Sequence, residues 1–180
     1  MKNTKVRFII YCALFTALGV LFPTVFHLFG AVSGQTFLPM HIPVLIAGLL
    51  ISPYCGMAVG ILAPFLSCIL TEMPTFVKMP FMCIELAVYG LSAGLFTRLY
   101  SGKIKNKTAV IYASLVSAQI SGRIANLVCT YLAVNLLGIT AKGIDVKLTL
   151  MSIPAGFVGI IIQLIIIPPI VRILSKLKKS

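Results

Sequence analysis

Ser117-Ala-Gln-Ile-Ser-Gly-Arg-Ile-Ala-Asn-Leu-Val-Cys-Thr130 sits inside an apolar run that extends over about residues 108–137. Its polar members are not scattered. Gln119, Arg123, Asn126 and Thr130 recur at i, i+4, i+7 and i+11. Those offsets trace one face of an α-helix. A centrally placed arginine that faces lipid costs at least about 2.5–3.5 kcal/mol on insertion scales. This face must therefore meet other polar helices or a wet cavity, while the rest of the helix faces hydrocarbon.

The remainder of the chain supports that reading. Apolar residues make up 59% of its 180 positions and charged residues only 10%, and the mean hydropathy is +1.09. A soluble domain is roughly 25% charged, so a water-facing surface cannot be assembled from so few charges. The chain is read as an all-α integral membrane protein. Cys12, Cys55, Cys68, Cys83 and Cys129 stand singly in apolar runs, which suits small buried filler better than a zinc or disulfide framework. Lys2, Lys5 and Arg7 precede an apolar run in the manner of a signal peptide. The run is long for one, and a retained first helix is expected.

At roughly 20 apolar residues per crossing, six transmembrane helices are expected, over about residues 7–25, 38–53, 55–72, 80–99, 108–137 and 148–173. Together, residues 1–180 form a single domain. Charge gives the orientation. Lys2, Lys5, Arg7, Arg98, Lys103, Lys105, Lys107, Arg172, Lys176, Lys178 and Lys179 fall on one side, and Lys78, Lys142 and Lys147 on the other. This asymmetry puts both termini in the cytoplasm. Basic rims beside anionic lipid account for the net charge of +12 without any nucleic acid partner. There is no P-loop, so no ATP hydrolysis is expected of this chain, and no convincing internal repeat of the inverted-repeat transporter kind.

Two more helices carry stripes. Glu85, Tyr89 and Ser92 lie on the fourth span, and Ser152, Gly156, Gly159 and Gln163 on the sixth. Spans four, five and six are expected to turn these stripes toward one pocket. Arg123 would offer its planar fork to a carboxylate, phosphate or carbonyl. Glu85 would bind the ligand or hold Arg123, and the competing reading is a purely structural Arg123–Glu85 pair. His41, at the start of the second span, is a candidate contact. So is Gln35 in the first outer loop, which also holds His27 and suits a lid. With no Trp in the chain, ring stacking falls to Tyr89, Tyr131 or Phe. Gly56/Gly60 and Gly90/Gly94 form GxxxG pairs suited to close helix packing, and Ala13/Ala17 form an AxxxA.

With these features the whole chain resembles the substrate-binding S components of energy-coupling factor (ECF) vitamin transporters. The resemblance is carried by Phe37-Leu-Pro-Met-His-Ile-Pro-Val-Leu-Ile-Ala-Gly-Leu-Leu50, Gly56-Met-Ala-Val-Gly-Ile-Leu-Ala-Pro-Phe-Leu-Ser67 and Glu85-Leu-Ala-Val-Tyr-Gly-Leu-Ser-Ala-Gly-Leu95, and by the AxxxA. It implies a six-helix subunit of a bacterial cytoplasmic membrane importer. Such a subunit takes a water-soluble vitamin or precursor from outside and joins a transmembrane T subunit and two cytoplasmic ATPases. It binds no cofactor itself, ATP is used by the partners, and transport proceeds by toppling in the membrane. Ala13 and Ala17 match the motif with which such subunits dock. Arg123 suits a carboxylate compound such as pantothenate or nicotinate, and a neutral or zwitterionic precursor fits where Glu85 neutralises Arg123.

Two other classes remain open on the residues alone. One is a stand-alone proton-coupled carrier with Glu85 as proton site, which would transport without ATPase subunits. The other is a structural membrane subunit with no ligand. An intramembrane enzyme lacks its parts: no HExxH is present, and there are only two His and no convincing acid pair.

Overall fold

The computed structural model describes residues 4–27, 38–136 and 144–177. Its elements are helices: α1 (Thr4–His27), α2 (His41–Leu50), α3 (Pro53–Thr71), α4 (Met79–Ser101), α5 (Lys107–Asn135), α6 (Val146–Ala155) and α7 (Phe157–Leu177). There is no strand among the described residues. Gln35 and most of the proposed lid lie outside them.

Local chemistry sets the ends. Ser52 caps α3 by accepting a 3.1 Å bond from the Cys55 N–H, and Pro53 occupies the first turn, where no N–H is needed. Asn106 caps α5 through the Thr108 N–H, and Asp145 caps α6 through the Lys147 N–H, both at 3.0 Å. The α3 chain stops where Glu72 enters the left-handed region at φ 57°.

Four helical stretches among the described residues are long and apolar enough to cross a membrane: Lys5–Val25, Pro53–Thr71, Met79–Ser101 and Phe157–Lys176. The other two expected spans differ from that pattern for separate reasons. The second shrinks to α2, ten residues, or about 15 Å of helix against a hydrocarbon core of roughly 30 Å. The fifth has ample length at 29 residues, but its polar stripe dilutes its apolar character. The sixth is displaced, because the backbone breaks between α6 and α7 at Gly156, two residues after Pro154. The apolar stretch begins only at Phe157.

Short as it is, α2 is the centre of the bundle. Every residue from His41 to Leu49 is buried, with α1, α3, α4 and α7 packed around it. A helix that is apolar on all sides belongs in such a position. The α3–α4 and α4–α5 pairs pack most extensively. The two GxxxG motifs explain the first of these. A Cβ on Gly90 would collide with the Gly56 backbone, one on Gly60 with the Leu86 carbonyl, and one on Gly94 with Pro53. The motifs therefore serve internal packing, as expected. Gly90→Leu is expected to cost about 3 kcal/mol or more by overpacking, read as a lowered unfolding midpoint in detergent.

The cysteines are not all isolated filler. Cys12 of α1 and Cys55 of α3 bring their sulfurs to 2.7 Å in a buried contact. Outside this core, large side chains such as Ile9, Leu14, Ile69, Ile120, Ile124 and Ile165 are exposed, which suits lipid contact.

Candidate substrate-binding site

The polar stripes do converge. α5 turns Gln119, Arg123, Asn126 and Thr130 inward, α4 contributes Glu85 and Tyr89, and α7 contributes Gln163. The start of α2 adds His41 and the Leu38 carbonyl.

Arg123 Nη1 stands 3.4 Å from Glu85 Oε1, and the two side chains are only 14% and 8% exposed. The second Glu85 oxygen accepts a 2.8 Å bond from Asn126 Nδ2, and Thr130 Oγ1 in turn donates to Asn126 Oδ1 at 3.4 Å. Glu85 is thus held from α5 at two points one turn apart. Nearby, Gln119 Nε2 donates to Gln163 Oε1 at 3.0 Å, and Gln163 Nε2 reaches the Leu38 carbonyl at 3.4 Å. This second chain ties α5 to α7 and to the segment that enters α2. If each amide contributes as cross-helix bonds do in membranes, a Gln119→Leu/Gln163→Leu cycle should give a coupling of about 0.6 kcal/mol, measured by unfolding in detergent.

Tyr89 packs against His41 edge to face, ring centroids 4.9 Å apart at 83°, and its hydroxyl lies beside the Arg123 guanidinium. The Tyr89 ring is seated on Gly122, where a Cβ would collide with it. Gly156 plays the matching part for the arginine: a Cβ there would stand 2.6 Å from Nη2. Leu38, at φ 49°, turns its carbonyl into the cluster from irregular backbone. Such backbone is tolerated at membrane depth where it is buried in protein or lines a cavity.

Several polar atoms remain unmatched. Arg123 Nε and Nη2 and both ring nitrogens of His41 are buried without a hydrogen-bond partner among the described residues. Buried groups of this kind call for an explanation. A packing pair that served structure alone would be expected to satisfy them.

Not every expected residue joins the cluster. Ser92 is buried, but it bonds to its own helix at the Val88 and Tyr89 carbonyls. Ser152 is exposed and bonds to the Thr149 carbonyl. Tyr131 is 55% exposed and points out of the bundle. Sequence reading missed the Leu38 carbonyl as a partner, and it missed Gly122 as the seat of Tyr89. A glycine directly beside the arginine was the available signal for the second. Ala13 and Ala17 are both exposed on α1, which packs on α2 and α3 through its other face. Cys68 and Ile69 of α3, with Glu72, Thr75 and Phe76 of the loop after it, line a separate crevice of about 370 Å³.

Compared with known protein families, residues 7–171 match the model described as ECF transporter, substrate-specific component. No curated protein and no solved structure gives a match.

Proposed function

Since the chain belongs to the substrate-specific components of ECF transporters, we propose that the Arg123 cluster is its substrate site. The chain is a membrane-embedded component of a transport system. In this reading it captures a water-soluble vitamin or vitamin precursor at the outer face of the cell membrane. It delivers that compound in complex with a T subunit and two cytoplasmic ATPases, and nucleotide is consumed only by those partners.

One observation carries the assignment: among the described residues, Arg123 keeps two buried, unpartnered nitrogens, Nε and Nη2, beside an equally unpartnered His41. A ligand acceptor at Arg123 removes that deficit. Glu85, itself held by Asn126, keeps the guanidinium in place, Tyr89 and His41 flank it, and Gln119 with Gln163 forms the neighbouring wall. Gln35 and the first outer loop are proposed to complete the site from above. The compound meets Arg123 through an oxygen or nitrogen acceptor.

The chain is proposed to cross the membrane six times, with both termini in the cytoplasm. Support comes from the basic residues gathered at the N-terminus, between α4 and α5 and at the C-terminus. Ala13 and Ala17 on the outward face of α1 are proposed as the docking surface for the T subunit.

Mass spectrometry of small molecules released from gently purified protein tests the site. A vitamin-like compound is expected with the native chain and none with folded Arg123→Ala. Equal recovery from both proteins would remove Arg123 from the site.

A further inference from the structure

We infer that the ligand is electrically neutral where it meets Arg123 and offers there two adjacent acceptors in one plane, such as a carbonyl oxygen beside a ring nitrogen. The inference rests on the reading above that the Arg123 cluster holds the substrate.

The hydrogen-bond inventory points to the acceptor pair. Nη1 of Arg123 forms the 3.4 Å ion pair with Glu85 Oε1, while Nε and Nη2 are buried and unpartnered among the described residues. The two unpartnered nitrogens form one side-on edge of the guanidinium, whose N–H bonds run parallel and match a planar pair of acceptors. Four acceptors of the cluster are already occupied: Glu85 Oε2 by Asn126, Asn126 Oδ1 by Thr130, Gln163 Oε1 by Gln119, and the Leu38 carbonyl by Gln163, while Glu85 Oε1 is committed to its ion pair with Nη1. What the Nε–Nη2 edge of Arg123 lacks among the described residues is therefore a pair of acceptors. Gly156 keeps that edge open, since a Cβ there would stand 2.6 Å from Nη2.

Charge excludes a carboxylate from the same place. Arg123 and Glu85 cancel each other, and both are largely buried. No further Lys, Arg, Asp or Glu belongs to the cluster among the described residues. A carboxylate on the open edge would leave one uncompensated negative charge in a desolvated site, at a cost of several kcal/mol. If it drew Arg123 away from Glu85, the orphaned carboxylate would be Glu85, with only Asn126 to hold it. A neutral acceptor pair gains charge-assisted bonds without either penalty.

The test screens the purified protein by thermal shift and then by titration. The probes are charge-matched pairs, nicotinate with nicotinamide and pantothenate with pantothenol, plus pterin and lumichrome as neutral rings that place an oxygen beside a nitrogen. A neutral probe is expected to stabilise the native chain, and its acid counterpart to fail. Arg123→Lys keeps the charge but loses the edge, and Gly156→Ala covers the edge. Each should weaken the neutral probe at least tenfold. Glu85→Gln exposes the arginine's charge and should raise the ratio of acid to neutral affinity at least tenfold. An acid that binds the native chain while its neutral counterpart does not would overturn the inference and leave the substrate site standing. A bound probe indifferent to Arg123→Lys, Arg123→Ala and Gly156→Ala would overturn both.

Discussion

Arg123→Ala is expected to lower ligand affinity at least a hundredfold. Truncating one side of a buried charge pair costs about 2–5 kcal/mol, and a hundredfold corresponds to about 2.7 kcal/mol. The same substitution also leaves the Glu85 carboxylate buried with Asn126 as its partner, which on its own destabilises by about 3–5 kcal/mol. Loss of binding by the single variant therefore mixes two causes. Adding Glu85→Gln separates them. The double variant buries no charge at this point and keeps an amide for Asn126, so its unfolding midpoint should return toward that of the native chain. Its ligand affinity should not return. Recovery of both would mean that Arg123 serves packing alone. The readouts are unfolding in detergent and titration with the compound released from the native protein.

How far the site could be read in advance follows from what kind of signal each part leaves. The stripe Gln119–Arg123–Asn126–Thr130 is legible because polar residues are rare in a membrane helix and repeat at helical spacing, and the helix does turn them inward. The convergence of three helices follows, since each stripe needs partners in lipid. The individual pairings do not follow. That Glu85 takes Asn126 as well as Arg123, or that Gln119 takes Gln163, depends on helix rotation of a few tens of degrees, which residue spacing does not report. Ser152 illustrates the limit. It keeps phase with Gln163 only along one continuous helix, and the break at Gly156 takes it out of phase. Tyr131, adjacent to the buried Thr130, is a full 100° around the helix from it. The Leu38 carbonyl is a backbone group whose placement depends on a left-handed φ, and leucine gives no hint of one. α2 was visible as an apolar run, but its reduction to ten buried residues was not. An apolar segment of that length reads alike as half a span or as a core helix.

Ala17→Leu is expected to leave ligand binding unchanged and to abolish recovery of the T subunit and ATPases with this chain. α1 has two faces. Cys12, Phe15, Thr16, Gly19 and Val20 are buried against the bundle, while Ile9, Ile10, Ala13, Leu14, Ala17 and Leu21 are exposed. Ala13 and Ala17 lie one turn apart on the outward face, where two small residues let a partner helix bring its backbone close. Van der Waals packing drives helix association in lipid, where no hydrophobic effect separates one apolar surface from another. A leucine at 17 keeps the face apolar and lipid-compatible, and it removes the close approach alone. The Arg123 cluster is built by α2, α4, α5 and α7 and the α6–α7 junction, so it should bind its ligand as before. Gly19→Leu is the contrasting variant. A Cβ at that inward position would already stand 2.7 Å from the Ala63 Cβ, so it should lower the unfolding midpoint and disturb complex and ligand together. Co-purification with tagged partners, run beside ligand titration, distinguishes the two patterns. A full complex recovered with Ala17→Leu would move the docking surface off this face of α1. Loss of ligand binding by the same variant would mean instead that α1 supports the site through the core it shares with α2.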